Sequence, residues 1–349
     1  MSPHWTPQFD DEQDERYGAY ASRFDPLYSD RQARRKRKPK AKHTPKVSQD
    51  HLVQSIAETQ GLEGGFKPTY QPSLFEEGWL LDALRPFYDS ALISDVMARV
   101  KGGKEANVYR CQAHPSMDVA WLAAKVYRPR MFRNLRNDAM YREGRAFIKE
   151  DGRGVKKTDH RIMRALQKKT NYGLEIAHIS WLQYELSALK DLHSAGVHVP
   201  KPYGASANAI LMSYVGDEGR AAPTLHEVHL SRSQAKQMFD VILHDVALML
   251  KKGLIHGDLS AYNILYWQNQ PLIIDFPQVI YAQVNTNARL ILARDIERLC
   301  DYFNGYGLRH DPIQIAEHLW KRFVGKTPDD LWYEMGFGDL GDPGDPEED

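Results

Sequence analysis

Three side chains stand at a spacing that few folds accommodate. Asp258 and Asn263 lie in His256-Gly-Asp-Leu-Ser-Ala-Tyr-Asn263, and Asp275 follows in Ile273-Ile-Asp-Phe-Pro-Gln278. Phosphoryl transfer depends on positioning and charge. It needs one carboxylate to place a hydroxyl or water, and an amide with a second carboxylate to hold magnesium on phosphate oxygens. Asp258 suits the first task, and Asn263 and Asp275 suit the second. The chain between Asn263 and Asp275 has room only for a hairpin: Ile264-Leu-Tyr266 and Pro271-Leu-Ile-Ile274 are apolar and β-prone, and Gln268-Asn-Gln270 supplies a polar turn. A buried apolar hairpin with incidental polar ends would explain the strands, but not three such groups at its mouth.

A chain of 349 residues, 42% hydrophobic, can build about two lobes around a proper core. No apolar run approaches the roughly 20 residues that span a bilayer, and the start Met1-Ser-Pro-His-Trp5 lacks a secretory h-region. A cytoplasmic protein without a membrane partner is expected. Cys111 and Cys300 form no metal or redox pattern and read as buried small hydrophobes. The net charge is zero but segregated: Asp10, Asp11, Glu12, Asp14 and Glu15 precede a basic block from Arg31 to Lys46, and Gly338 to Asp349 is acidic. Residues 1–73 and 336–349 bury too little to offset chain entropy, so a disordered arm and an acidic disordered tail are expected. The basic block fits RNA through counterion release, or a solvated tail; it has no aromatic residues to stack on bases.

Between the ends, a lead-in helix begins near Leu74 with Trp79, Leu80, Leu84 and Phe87 on one face. Strands follow at Val96–Val100, Ala106–Tyr109 and Trp121–Tyr127. Gly102, Gly103 and Ala106 in the first turn let backbone amides approach phosphate, the outline of a nucleotide flap. Lys125 lies in an apolar strand, where an ammonium requires a carboxylate partner. Glu185 is the candidate, on a helix from about Ile179 to Ser194 whose stripe is Trp181, Leu182, Leu186, Leu189 and Leu192; a solvated Glu185 is the alternative. Arg128 to Tyr172 is a basic insert, either a substrate or nucleotide contact or a solvated insertion. Ile210 to Gly216 reads as a last small-lobe strand entering a hinge, where the backbone of Ser213 to Val215 would bond adenine. Ser231-Arg-Ser-Gln234 is a capping box for a helix carrying Phe239, Ile242, Leu243, Val246, Met249 and Leu250, which Gly253 stops. The expected fold is α+β and bilobal, with a small β-rich N-lobe over residues 74–216 and a larger helical C-lobe over 217–335.

The step from Asp258 to Asn263 matches the protein-kinase loop H-R-D-x-x-x-x-N, with Gly257 in place of the usual Arg. Gly103-Lys-Glu-Ala-Asn-Val-Tyr109, Trp181-x-x-x-Glu185, Val199-Pro-x-Pro202, Met212-Ser-Tyr-Val-Gly216, Asp258-Leu-Ser-x-Tyr-Asn263 and Ile274-Asp-Phe-Pro-Gln278 together resemble the RIO family of atypical protein kinases and ATPases. The likeness runs from about Ile93 to Phe303 and includes Arg294-Asp295. It implies Asp258 as the catalytic aspartate, and Asn263 and Asp275 as magnesium ligands. It implies ATP contacts from Lys104, Val108, Lys125, Glu185, Ser213 and Val215. It also implies that Asp275 can itself accept phosphate, so ATP hydrolysis stands beside phosphorylation of protein serines, its own included. Known members act in maturation of the small ribosomal subunit. The insert is longer than the family pattern, and residues 1–73 show no winged helix. Two rivals are a small-molecule kinase of the aminoglycoside or choline type, which shares H-G-D-x-x-x-x-N but lacks the Gly-Lys-Glu-Ala-Asn-Val-Tyr flap, and a nucleotide-gated assembly factor.

Overall fold

The computed structural model describes residues 66, 68–103, 105–128, 147–148, 153–156, 158–168 and 170–325. The acidic start, the basic block, Lys104, most of the basic insert and the acidic tail lie outside the described residues.

Helix α1 (Leu74–Asp89) places Leu80, Leu84 and Phe87 in a core shared with an antiparallel sheet. The sheet has β1 (Ile93–Gly102), β2 (Ala106–Ala113), β3 (Trp121–Tyr127), β4 (Pro202–Ala205) and β5 (Ala209–Ser213), in the order β1-β2-β3-β5-β4. Burial alternates along β2, so Asn107, Tyr109 and Cys111 are buried while Val108 and Arg110 between them are only half-buried. Across the β2–β3 ladder Val108 pairs with Lys125, which sets the flap strand directly beside the lysine strand.

Helix α2 (His160–Gln167) lies within the basic insert, and α3 (Asn171–Ser194) begins eight residues ahead of the expected start at Ile179. The early start has a local cause: Thr170 is extended, and its hydroxyl caps the Gly173 amide at 3.2 Å. Gly173 also lets the end of α2 approach, because a Cβ there would meet the Ala165 carbonyl. Helix α3 serves two cores. Trp181, Leu182 and Leu186 pack with Tyr127 and Ile210, whereas Ala188, Leu189 and Leu192 belong to the larger core below.

That larger core forms around α4 (Arg232–Lys251), α5 (Ala288–Asn304) and α6 (Pro312–Phe323). The α4 capping box is present in full, with Ser231 N–H donating to Gln234 Oε1 at 2.9 Å. Gly253 follows at φ +71, the left-handed stop that glycine accommodates. Strands β7 (Ile264–Trp267) and β8 (Gln270–Ile273) form the expected hairpin, and short β6 (Leu254–Ile255) pairs with β9 (Ile280–Tyr281). The β7–β8 turn is two residues, Gln268 and Asn269, both at positive φ as a type I′ hairpin demands. The fold is α+β with an antiparallel sheet in the first half and helices in the second.

Candidate active site

The loop between β6 and β7 carries Asp258, and its backbone is held from α5. Asp295 is 1% exposed; it accepts from Gly257 N at 2.7 Å and Leu259 N at 3.3 Å, while Arg294 donates to the Gly257 carbonyl. Burial pushes the Asp295 carboxyl up, and Arg294, His256 and Arg298 oppose that push. Gly257 sits at φ +84 with the Gln278 carbonyl where a Cβ would stand, so no side chain fits there. The arginine that most protein kinases carry at this place has no room, and a guanidinium reaches the aspartate from another element. Arg298 Nη1 donates to Asp258 Oδ1 at 2.7 Å. On the other side Asn263 Nδ2 donates to Asp258 Oδ2 at 3.1 Å and to its backbone carbonyl at 2.8 Å. Both carboxylate oxygens are thereby oriented.

His256 braces the same loop against the strand that leads to Asp275. Its Nδ1 accepts from Asp258 N at 3.2 Å, so its Nε2 carries the proton donated to the Ile274 carbonyl at 3.0 Å. The hairpin closes just below, with Ile274 N–H donating to the Asn263 carbonyl at 2.9 Å. Asp275 itself adopts φ +72, a conformation that non-glycine residues seldom take and that is enriched at functional sites.

Lys125 meets two carboxylates: Glu185 Oε1 at 2.6 Å and Asp275 Oδ1 at 2.5 Å. The expected Lys125–Glu185 pair is present, and the Asp275 contact is one that sequence reasoning did not foresee. Tyr127 OH donates to the other Glu185 oxygen, which leaves that 4%-exposed carboxylate fully occupied. Burial would push Lys125 down, but Asp275 and Glu185 outweigh it and hold the ammonium well above its ordinary value. Burial would likewise raise Asp275, but Lys125 wins and lowers it. Asp275 is therefore ionised at neutral pH. Trp181 Nε1 donates to the Pro277 carbonyl at 3.2 Å, a further tie between α3 and the Asp275 segment.

The donors suit magnesium. Asn263 spends its amide nitrogen on Asp258, so its carbonyl oxygen is turned away from that residue, and the Asp275 side chain is 42% exposed. Among the described residues no group of three or more His, Cys, Asp or Glu is arranged to cage a metal. Magnesium needs no such cage: one or two carboxylates, waters and substrate phosphates usually hold it.

The hinge expectation is narrowed. Ser213 N–H donates to the Lys201 carbonyl at 2.8 Å, and the Val215 carbonyl accepts from Ala222 N–H at 2.9 Å. The Ser213 N–H and the Val215 carbonyl are thus already engaged within the protein. Val108 is half-buried opposite Lys125, and Lys104 lies outside the described residues. Arg298 escaped the sequence reading; its only signal was its place one helical turn after Arg294 on the helix that also bears Asp295.

An antiparallel sheet over a helical lobe, with a lysine–glutamate pair above an aspartate loop and a second aspartate, defines a kinase-like phosphotransferase site. The RIO domain matches residues 107–315, and the chain belongs to the RIO family. It is similar to the RIO-type serine/threonine-protein kinase Rio1 of Haloferax volcanii, at 27% identity over 251 residues covering 71% of each chain. It is also similar to the protein of the same name from Thermoplasma acidophilum, at 30% identity over 142 residues, 41% of this chain and 73% of that one. Human serine/threonine-protein kinase RIO1 is 24% identical over 238 residues, which cover 67% of this chain and 37% of the human protein.

Proposed function

We propose that this chain is an ATP- and magnesium-dependent phosphotransferase of the RIO type, which transfers the γ-phosphoryl group to serine hydroxyls of proteins, itself included, or to water. The observation that carries the reading is the double contact of Lys125 with Glu185 and Asp275, set beside an Asp258 carboxylate oriented by Arg298 and Asn263. In this reading Lys125 meets the nucleotide phosphates, and the flap at Gly102-Gly103, with Lys104 and Val108, covers them. The Ser213 carbonyl and the Val215 N–H meet adenine. Asp258 accepts a hydrogen bond from the attacking hydroxyl and aligns it with phosphorus. Asn263 and Asp275 would hold magnesium, which neutralises charge on the phosphate oxygens.

Asp275 offers a second route to ADP and free phosphate. Its ionised carboxylate attacks the γ-phosphorus as the bond to the ADP oxygen breaks; water then attacks the aspartyl-phosphate, releasing phosphate and restoring the carboxylate. Its depressed pKa favours the ionised form that this route needs. The basic block from Arg31 to Lys46 supports association with RNA, and so with the small ribosomal subunit on which known RIO proteins act. Among the described residues no helix is long and apolar enough to cross a membrane.

The test is incubation of the pure protein with γ-labelled ATP and magnesium. Label should appear as phosphoserine, as a hydroxylamine-labile acyl-phosphate, or as free phosphate, and Asp258→Ala should lower every product. A wild-type protein that yields none of the three refutes the reading.

A further inference from the structure

Outside the site, among the described residues, Glu76 is a buried carboxylate with several donors, in the first turn of α1 and 5% exposed. A carboxylate removed from water persists only where donors replace its hydration. Donors come from three other parts of the chain. Tyr109 OH and Asn107 Nδ2, both on β2, reach Oε1, the latter at 3.3 Å; Tyr70 OH reaches Oε2 at 3.2 Å; and Arg99 of β1 lies 3.8 Å from Oε1. Burial, together with the Glu76 contact, pushes the Tyr109 phenol well above its ordinary value, so it remains a donor at every working pH.

The consequence lies in Asn107, which is 2% exposed. A carboxylate accepts and never donates, so the amide must turn its NH2 toward Glu76 and its oxygen the other way. That oxygen accepts from Gly103 N at 3.4 Å and from Arg128 Nη2 at 3.3 Å. Gly103 is the tight point of the flap, where a Cβ would stand 2.8 Å from the Ala106 carbonyl. One side chain thus joins the lead-in helix to the turn that faces the phosphates and to the first residue of the basic insert.

We propose that Glu76 is a positioning residue for nucleotide binding: its carboxylate fixes the orientation of the Asn107 amide, which holds the Gly103 turn in the shape that receives phosphate. The inference rests on the reading of that turn as a nucleotide flap. Glu76 touches no nucleotide, so its effect belongs in affinity rather than in turnover. Glutamine at this position keeps the shape but offers an NH2, which releases the amide to flip.

The experiment measures affinity for the non-hydrolysable analogue AMP-PNP with magnesium by titration calorimetry, alongside KM and kcat for ATP. Glu76→Gln should weaken AMP-PNP binding and raise KM by about tenfold, the scale of a lost charge-assisted hydrogen bond, with kcat within about twofold. Asn107→Ala should match it, and the double variant should be no weaker than Asn107→Ala alone. Tyr70→Phe removes a bond to the same carboxylate without reaching Asn107, so it should lower the melting temperature and leave affinity unchanged. Equal loss of affinity in Tyr70→Phe and Glu76→Gln would reduce Glu76 to a structural residue. A loss confined to kcat, or additive losses in the double variant, would overturn the proposal as well. If Glu76→Gln fails to fold, unchanged affinity in Asn107→Ala has the same force. Absence of AMP-PNP binding by the wild type would instead refute the nucleotide reading beneath it.

Discussion

The two charged centres of the site are held in opposite ways. Asp258 is oriented from within its own lobe: Arg294, Asp295 and Arg298 all project from α5, and three of their four contacts go to loop backbone. Lys125 is held within its own lobe by Glu185 of α3 and across the lobes by Asp275 beyond β8. The loop of Asp258 is part of a packed core, into which it sends Leu259 and Ala261. The Lys125–Asp275 contact is a single bond between the sheet and the segment after β8, and Glu185 holds the same ammonium. Under the proposed function, the many-bonded loop would keep the transfer geometry fixed, and the singly bonded interlobe contact would be the one that nucleotide phosphates replace.

Lys125→Ala tests the interlobe side and should have the largest effect. It should lower kcat/KM by roughly 10²–10³-fold, the scale of one lost electrostatic donor to the transition state, while leaving the protein folded. A loss under tenfold would remove Lys125 from the phosphate contact. Next comes Arg298→Ala, which should cut kcat by about 10-fold or more with KM for ATP little changed. It should also cost on the order of 3 kcal/mol of stability, because it strips one partner from a largely buried pair. Activity lost without stability would mean that α5 does not clamp the loop as described.

A smaller effect lies in acid. The Asp275 pKa is depressed from 3.8, so its pairing contributes stability that is present above that value and lost as pH falls through the lowered pKa. Asp275→Asn should therefore flatten the loss of stability between about pH 5 and pH 2, read by acid denaturation. An unchanged acid limb would show that the interlobe pair adds nothing to the fold. The smallest effect is a labelling order. Burial pushes Cys111, in the sheet, up to about 12 and Cys300, in α5, up to about 11. Neither should react with iodoacetamide at neutral pH in the native protein. In rising denaturant Cys111 should be modified first, because the core around the sheet is the smaller one. Simultaneous labelling would mean that the lobes open as one unit.

How much of this was legible differs from place to place. Asp258, Asn263 and Asp275 share one short stretch of chain, and a hairpin leaves little freedom in how its ends meet, so their grouping could be read from spacing. Lys125 and Glu185 were legible for a different reason: a lysine in an apolar strand demands a carboxylate, and an amphipathic helix offered one. Helix α3 was found but started late in the reading, because Gly173 interrupts its first turn and its start depends on the Thr170 cap. Arg298 and Glu76 were missed. Each looks like an ordinary charged residue of an amphipathic helix, and nothing local says that its charged end is buried against another part of the chain.

The amino-acid order by itself determined the elements and their chemistry: alternating strands around a glycine turn, a capped helix leading to a loop with an aspartate and an asparagine, and an I-D-F-P-Q segment after a two-residue turn. Local propensity and short-range hydrogen bonds act over a few residues, and these features need no more than that. Only the tertiary structure decided which charges meet. Gly257 leaves no room for a side chain, so the guanidinium on Asp258 comes from Arg298 on α5; Lys125 is shared between Glu185 and Asp275; and Glu76 meets the Asn107 amide of β2. The physical reason is desolvation. A buried charge must find a partner, but which one it finds depends on the packing of apolar faces far away in the chain, and packing is a property of the assembled cores rather than of any segment.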